Sequence, residues 1–250
     1  MTFIPDFKLA RAKPSPNHDA RTTPIDILLL HYTGMQSGEA ACARLCDADA
    51  KVSSHYLVYE DGRIDQLVAE ARQAWHAGVS AWKGETDINS RSVGIEIVNP
   101  GHEFAYRDFP EAQITAVIAL CRDIVARHAI PAARVLAHSD VAPGRKQDPG
   151  ERFPWARLAS SGVGLWIEPT PIGDGDALLP TQRGEDIAML QTMLAKVGYA
   201  AELTGIYDDK TRDIVIAFQR HFRPARVDGI ADRSTIETLR GLLTASSTIA

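Results

Sequence analysis

Three residues of this chain are of the types that a hydrolytic metal site uses. A catalytic zinc takes about three protein ligands from His, Asp, Glu and Cys and keeps one position open for water. His31 closes the apolar run Ile25-Asp26-Ile27-Leu28-Leu29-Leu30-His31, and His138 closes Arg134-Val135-Leu136-Ala137-His138. Asp148 follows in a stretch rich in Pro and Gly, Val141 to Gly150, which is stiff enough to swing it back toward the strand end. Each has a plainer reading alone: a strand-end His is often a hydrogen-bonded structural residue, and Asp before Pro is a turn former. Glu96 stands apart from these. In Val93-Gly94-Ile95-Glu96-Ile97 the apolar residues alternate, so a strand here puts the carboxylate on the face opposite them. A carboxylate there needs a task, unless it is a solvated acid on an edge strand.

The elements that position these residues alternate between strand and helix patterns over the first ~155 residues, which predicts a mixed α/β domain. The run ending in His31 reads as a buried central strand, bounded by Pro24 and Gly34. Ser37 is a candidate N-cap for a short helix with Cys42, Leu45 and Cys46 on its inner side. His55 to Tyr59 and Ile64 to Val68 flank Asp61-Gly62, the signature of an antiparallel hairpin. Ile114, Val117, Ile118, Cys121, Ile124 and Val125 follow helical spacing after Pro110.

From 158 to 183 the composition turns to Ser, Gly, Pro, Thr and Asp, which marks a linker between a first domain, 1–157, and a second, 184–250. The second carries three helical patterns, and so reads as a small all-α, three-helix domain. Within it Gly205-Ile-Tyr-Asp208-Asp-Lys-Thr211 and Gly229-Ile-Ala-Asp232-Arg-Ser-Thr235 repeat one turn design, each feeding a helix.

Composition bounds what the chain can do. With 250 residues, 45% hydrophobic and 24% charged, it is neither disordered nor fibrous, and its net charge of -5 argues against a nucleic-acid partner. Three cysteines cannot all pair within the chain, which suits a reducing compartment, and none lies in a polar loop of the kind a reactive thiol needs. The first residues lack a secretory pattern and no stretch is long enough to span a bilayer. The expectation is therefore a cytoplasmic monomer without a transmembrane segment, or a periplasmic or outer-membrane protein if a leader has been removed.

Residues from about 25 to 155 resemble the zinc-dependent N-acetylmuramoyl-L-alanine amidases of the AmpD/AmiD and phage-lysozyme type. The segments that carry the likeness are Leu-Leu-Leu-His31-Tyr-Thr-Gly, Val52-Ser-Ser-His-Tyr-Leu-Val, Ala74-Trp-His-Ala-Gly-Val-Ser, Asn89-Ser-Arg-Ser-Val-Gly-Ile-Glu96-Ile-Val-Asn and the loop from His138 to Gly150. The resemblance implies a mixed sheet flanked by helices and a Zn2+ ion held by His31, His138 and Asp148. It also implies Glu96 as base and proton shuttle and Lys146 as donor to the oxyanion. Some phage relatives carry a catalytic tyrosine where this chain has Ser54, which places more weight on Glu96. Trp75, His76, Trp82 and Asn89 are expected to line the substrate groove, since sugars stack on aromatic faces and peptides need polar partners. His55 stays open between a structural and a functional role. His18, His102, His128 and His221 are expected to be surface or packing residues.

Residues from about 184 to 243 resemble the small helical peptidoglycan-binding domain, through Leu190-Gln-x-x-Leu194, the two Gly-Ile-x-Asp-x-x-Thr turns, Ala217-Phe-Gln219 and Val227-Asp-Gly229. The segment from Arg220 to Arg226 departs from that pattern. Together the two halves imply an enzyme that cuts the amide between N-acetylmuramic acid, or its 1,6-anhydro form, and L-alanine, with peptidoglycan or a muropeptide as partner. The alternative is a muropeptide recognition protein on the same fold without catalysis.

Overall fold

The apolar run that ends in His31 forms the middle of a sheet. In the computed structural model, which describes residues 3–249, that strand is β3 (Ile27–Tyr32). It lies parallel between β7 (Ser92–Ile97) and β8 (Val135–Ala137). β4 (Tyr56–Val58) continues the parallel set beside β7, and β5 (Ile64–Gln66) pairs antiparallel with β4, as the Asp61-Gly62 turn predicts. β1 (Arg11–Ala12) closes the edge, giving the six-stranded order β1-β5-β4-β7-β3-β8. A separate ribbon pairs β2 (His18–Ala20) with β6 (Arg72–Ala74).

Period-two alternation sorts the side chains of the sheet between two cores. Leu28, Leu30, Val93, Ile95 and Ile97 pack against the apolar stripe of α3 (Glu111–His128). That helix starts at Pro110, carries Glu111 in its first turn and Arg127 and His128 in its last, and stops where Ala129 takes a left-handed conformation, φ 50°. The ends thus complement the helix dipole. On the opposite face lie Ile27 and Leu29, followed by His31. Smaller helices complete the first domain. α1 (Gly38–Leu45) is capped by Ser37, whose hydroxyl accepts the Ala40 N–H at 3.1 Å, and α2 (Ile88–Arg91) by Asp87. α4 (His138–Val141) is a single turn, so the strand that was expected to end in His138 gives way to helix one residue earlier. α5 (Trp155–Ser160) runs across the expected edge of the linker.

Beyond it, Leu165, Trp166 and Ile167 pack against the second core instead of spanning open solvent. The helical part contains α6 (Glu185–Val197), α7 (Asp209–Phe222) and α8 (Arg233–Ile249), as the three apolar periods predict. It also has a short antiparallel pair, β9 (Ala177–Leu178) with β10 (Ala231–Asp232), so it is not purely helical. The repeated turns are built alike. Asp208 accepts both the N–H and the hydroxyl of Thr211, and Asp232 does the same for Thr235. A buried glutamine from the preceding helix latches each turn: Gln191 binds Gly205, Ile206 and Thr211, and Gln219 binds Gly229, Ile230 and Thr235.

Leu190, Leu194, Phe218, Phe222, Leu239 and Leu242 share one apolar cluster with Ile27, Leu29 and Leu136 of the sheet. The helical unit therefore covers the sheet face whose far end carries His31. Each such fully buried aliphatic or aromatic side chain is worth about 1.5–3 kcal/mol, so this shared core makes the two halves support each other. No helix among the described residues is long and apolar enough to cross a membrane.

Candidate metal centre and catalytic cleft

Parallel strands bring the chemistry to one edge. His31 of β3 is the register partner of Glu96 of β7, so both side chains leave the same face near the carboxyl ends of their strands. Leu30 pairs with Ala137, which sets His138 beside His31 at the position just after β8. The loop after α4 returns Asp148 to the same point, tied by the Ser139 N–H donating to the Asp148 carbonyl at 3.0 Å. The Nδ1 atoms of His31 and His138 lie 2.9 Å apart, and each is 2.9 Å from Oδ2 of Asp148.

The hydrogen-bond network assigns the tautomers of these rings. Nε2 of His138 faces the Ala77 carbonyl at 3.0 Å and must carry a proton, so in the neutral ring, the form that ligates a metal, Nδ1 is bare. Ser92 spends its hydroxyl proton on the Ile88 carbonyl, and its oxygen accepts from Nε2 of His76. Nδ1 of His76 is then the acceptor for Nε2–H of His31, 3.0 Å away, and Nδ1 of His31 is bare as well. Burial, reinforced by His138, lowers His31 to about 4, and burial with His31 beside it holds His76 well below the ordinary range. His31 and His76 are therefore neutral at pH 7. Burial opposes ionisation of Asp148, but His138 and His31 outweigh it and keep the carboxyl well below the usual range. Two imidazole lone pairs and a carboxylate oxygen thus converge with no proton between them. That is a buried donor set for a cation, the one group of His, Cys, Asp and Glu among the described residues that could hold a metal.

Beside it opens a cavity of about 770 Å3, lined by Glu96, His138, Lys146 and Asp148, with Arg44 of α1 and His102 on its walls. Burial, and then the charge of Asp148, raise Glu96 well above the usual carboxylate range. Its Oε2 is buried with no hydrogen-bond partner among the described residues. A carboxyl left unpaired at the wall of a cleft is placed to exchange a proton with whatever enters. Gly94 makes this arrangement possible: a Cβ there would sit 2.5 Å from the His76 ring that supports His31.

The N-acetylmuramoyl-L-alanine amidase family model matches residues 21–151, and a peptidoglycan binding domain model matches 183–239. The N-acetylmuramoyl-L-alanine amidase AmiD of Escherichia coli is 40% identical over 231 residues, 88% of this chain and 82% of that protein. The chain belongs to the N-acetylmuramoyl-L-alanine amidase family. The 1,6-anhydro-N-acetylmuramyl-L-alanine amidase AmpD of Enterobacter cloacae is 32% identical over 60% of this chain and 88% of its own length. Among solved structures, E. coli AmiD with anhydro-N-acetylmuramic acid-L-Ala-D-gamma-Glu-L-Lys superposes with a TM-score of 0.75 at 38% identity, covering 91% of this chain and 92% of that one. AmpDh3 of Pseudomonas aeruginosa in complex with anhydromuramic pentapeptide gives 0.75 at 29% identity over the whole of both chains.

Not every residue expected at the groove of this amidase reaches it. His76 does line the cavity, but as the buried partner of His31. Trp82 is fully buried and packs edge-on against Tyr199 of the helical unit, ring centres 5.0 Å apart, so it belongs to the shared core. Trp75 lies outside the cleft, half-buried, its Nε1 donating to Asp19 at 2.7 Å. Asn89 uses Oδ1 to accept the N–H groups of His76 and Ala77, and so holds the segment beneath the rings. His55 is structural: it is buried, and its Nδ1 accepts the Gly94 N–H. Ser54 is buried and donates to the Gly94 carbonyl, outside the chemistry.

Sequence reading missed Arg145, whose guanidinium donates to the Ala77 and Val79 carbonyls and pins the His76 loop. It also left His102 and His221 without a role. His102 meets the Tyr32 hydroxyl and Glu151 at the rim of the cleft, and His221 pairs with buried Asp140. None of the cysteines lines this cleft: Cys121 is in the α3 core, while Cys42 and Cys46 border a different cavity.

Proposed function

We propose that this chain hydrolyses the amide between the lactyl group of N-acetylmuramic acid, or its 1,6-anhydro form, and L-alanine of the peptide stem, using a zinc ion held by His31, His138 and Asp148. The observation that carries this reading is the convergence of two bare imidazole nitrogens and a carboxylate oxygen at 2.9 Å, beside an unpartnered glutamate. Held by these three residues, a zinc ion would supply Lewis-acid polarisation of the carbonyl and a lowered pKa for water near neutral pH. Glu96 takes the proton of the attacking water and passes it to the departing amine. Lys146 faces the negative charge that develops on the carbonyl oxygen. His76 and the Ala77 carbonyl fix the two ligand rings, and Arg145 fixes Ala77 in turn.

The relatives solved with anhydromuramyl peptides favour a soluble 1,6-anhydro muropeptide as one substrate. The match of residues 183–239 to a peptidoglycan binding domain keeps polymeric wall as another. A recognition protein without catalysis is the poorer reading, because binding alone needs neither the full donor set nor Glu96 and Lys146, and the chain has all of them. The test is product analysis by mass spectrometry on anhydro-muropeptide and on sacculi side by side. The expected products are stem peptides with a free L-alanine amino group and sugars that keep the lactyl carboxylate. Binding without these products on either substrate would establish the recognition reading instead.

A further inference from the structure

We propose that the helical unit is a working part of the catalytic domain, in which Tyr199 and His221 are positioning residues that hold the His138 turn in place through Asp140. This rests on the reading of His138 and Asp148 as ligands. The turn α4 has four residues, too few to maintain a helical geometry alone, so its placement is set by what grips it. The grip is Asp140, whose carboxylate is completely buried.

That carboxylate accepts from three donors. The adjoining strand β8 supplies the Ala137 N–H at 2.8 Å. The other two come from the helical unit: the Tyr199 hydroxyl at 2.7 Å and Nδ1 of His221 at 2.6 Å. A buried carboxylate is held only as firmly as its donors hold it, because any lone pair left bare is costly. His221 is itself immobilised, stacked on Trp155 at 3.7 Å and against Phe222 at 3.8 Å.

The same helix α7 reaches the rest of the ligand loop. Gly144 passes so close that a Cβ there would lie 2.3 Å from Oδ2 of Asp213, and Arg220 donates to Gln147, the neighbour of Asp148, at 3.1 Å. The segment from Arg220 to Arg226 departs from the usual peptidoglycan-binding pattern near these contacts. Residues from 138 to 148 therefore sit between the sheet and α7. The helical unit then contributes to turnover of small soluble substrates as well as to any capture of wall.

The experiment uses the full chain carrying Tyr199→Phe or His221→Gln, with Tyr207→Phe as reference, since the Tyr207 hydroxyl donates to Gly229 inside the helical unit. Thermal midpoint, kcat and KM on a soluble 1,6-anhydro-N-acetylmuramyl tripeptide, and zinc affinity by chelator competition are measured for each. Tyr199→Phe and His221→Gln should lower kcat and zinc affinity about tenfold, the lower end of the range for groups bonded directly to a metal ligand, since they act on His138 through Asp140, with KM within about threefold. Tyr207→Phe should lower the midpoint without these losses. The proposal is overturned if zinc affinity stays at the wild-type value in Tyr199→Phe, or if Tyr207→Phe loses as much at an equal fall in midpoint. Should His221→Gln fail to fold, Tyr199→Phe decides. Should the unaltered chain leave the tripeptide intact, the substrate reading fails, and zinc affinity alone decides the role of Tyr199 and His221.

Discussion

Asp148→Ala will leave the chain folded, unable to retain zinc through gel filtration, and without measurable turnover of a muropeptide. The donor set explains why the effect is complete. Asp148 supplies the only negative charge among the three converging atoms, and its Oδ2 is 2.9 Å from both imidazole nitrogens. Without it only the two imidazole nitrogens remain, one ligand short of the three that a catalytic zinc requires. The fold should survive because the carboxylate makes its contacts within the site, while the loop keeps the Ser139 N–H bond to the main-chain carbonyl of residue 148. Metal content and turnover measured on the same preparation check this. Full zinc retention would remove Asp148 from the ligand set.

Glu96→Gln should separate chemistry from metal binding. The substitution keeps the size and the strand position of the side chain but cannot accept a proton, so turnover should fall by about 10²–10⁴-fold, the range for general acid–base catalysis. Zinc content should be unchanged, because Glu96 contacts none of the three donors by hydrogen bond and its Oε2 is unpartnered. The loss should appear in kcat more than in KM, since a proton transfer is made only in the transition state. Near-unaltered kcat would return Glu96 to a structural role and leave the proton to another group at the cleft.

The parts of this site that were legible in the sequence are those with a local period. Strand alternation places Glu96 opposite Val93, Ile95 and Ile97, and the apolar run places His31 at a strand end; the parallel register of β3 with β7 brings the two together. Asp148 needed the motif, because nothing in the spacing of a Pro/Gly loop says where it returns. Trp82 was misplaced because an aromatic ring in a polar loop serves equally for stacking on sugar or for burial, and only the docking of Tyr199 decides. Tyr199, His221 and Asp140 escaped for the same reason: contacts between the two halves depend on how α7 lies over the loop, and no short-range pattern records that. The segment 158–183 reads as a linker from its Ser, Gly and Pro content, and composition alone does not say that Leu165, Trp166 and Ile167 within it pack, partly buried, against the shared core.

Metal-dependent cleavage at His31, His138 and Asp148 can be tested by stripping the protein of metal with a chelator and titrating zinc back while following muropeptide cleavage. Activity should vanish with the metal and return in full at one equivalent of zinc per chain, with the thermal midpoint rising in step. Cleavage that persists at wild-type rate in protein shown to hold no metal would contradict it.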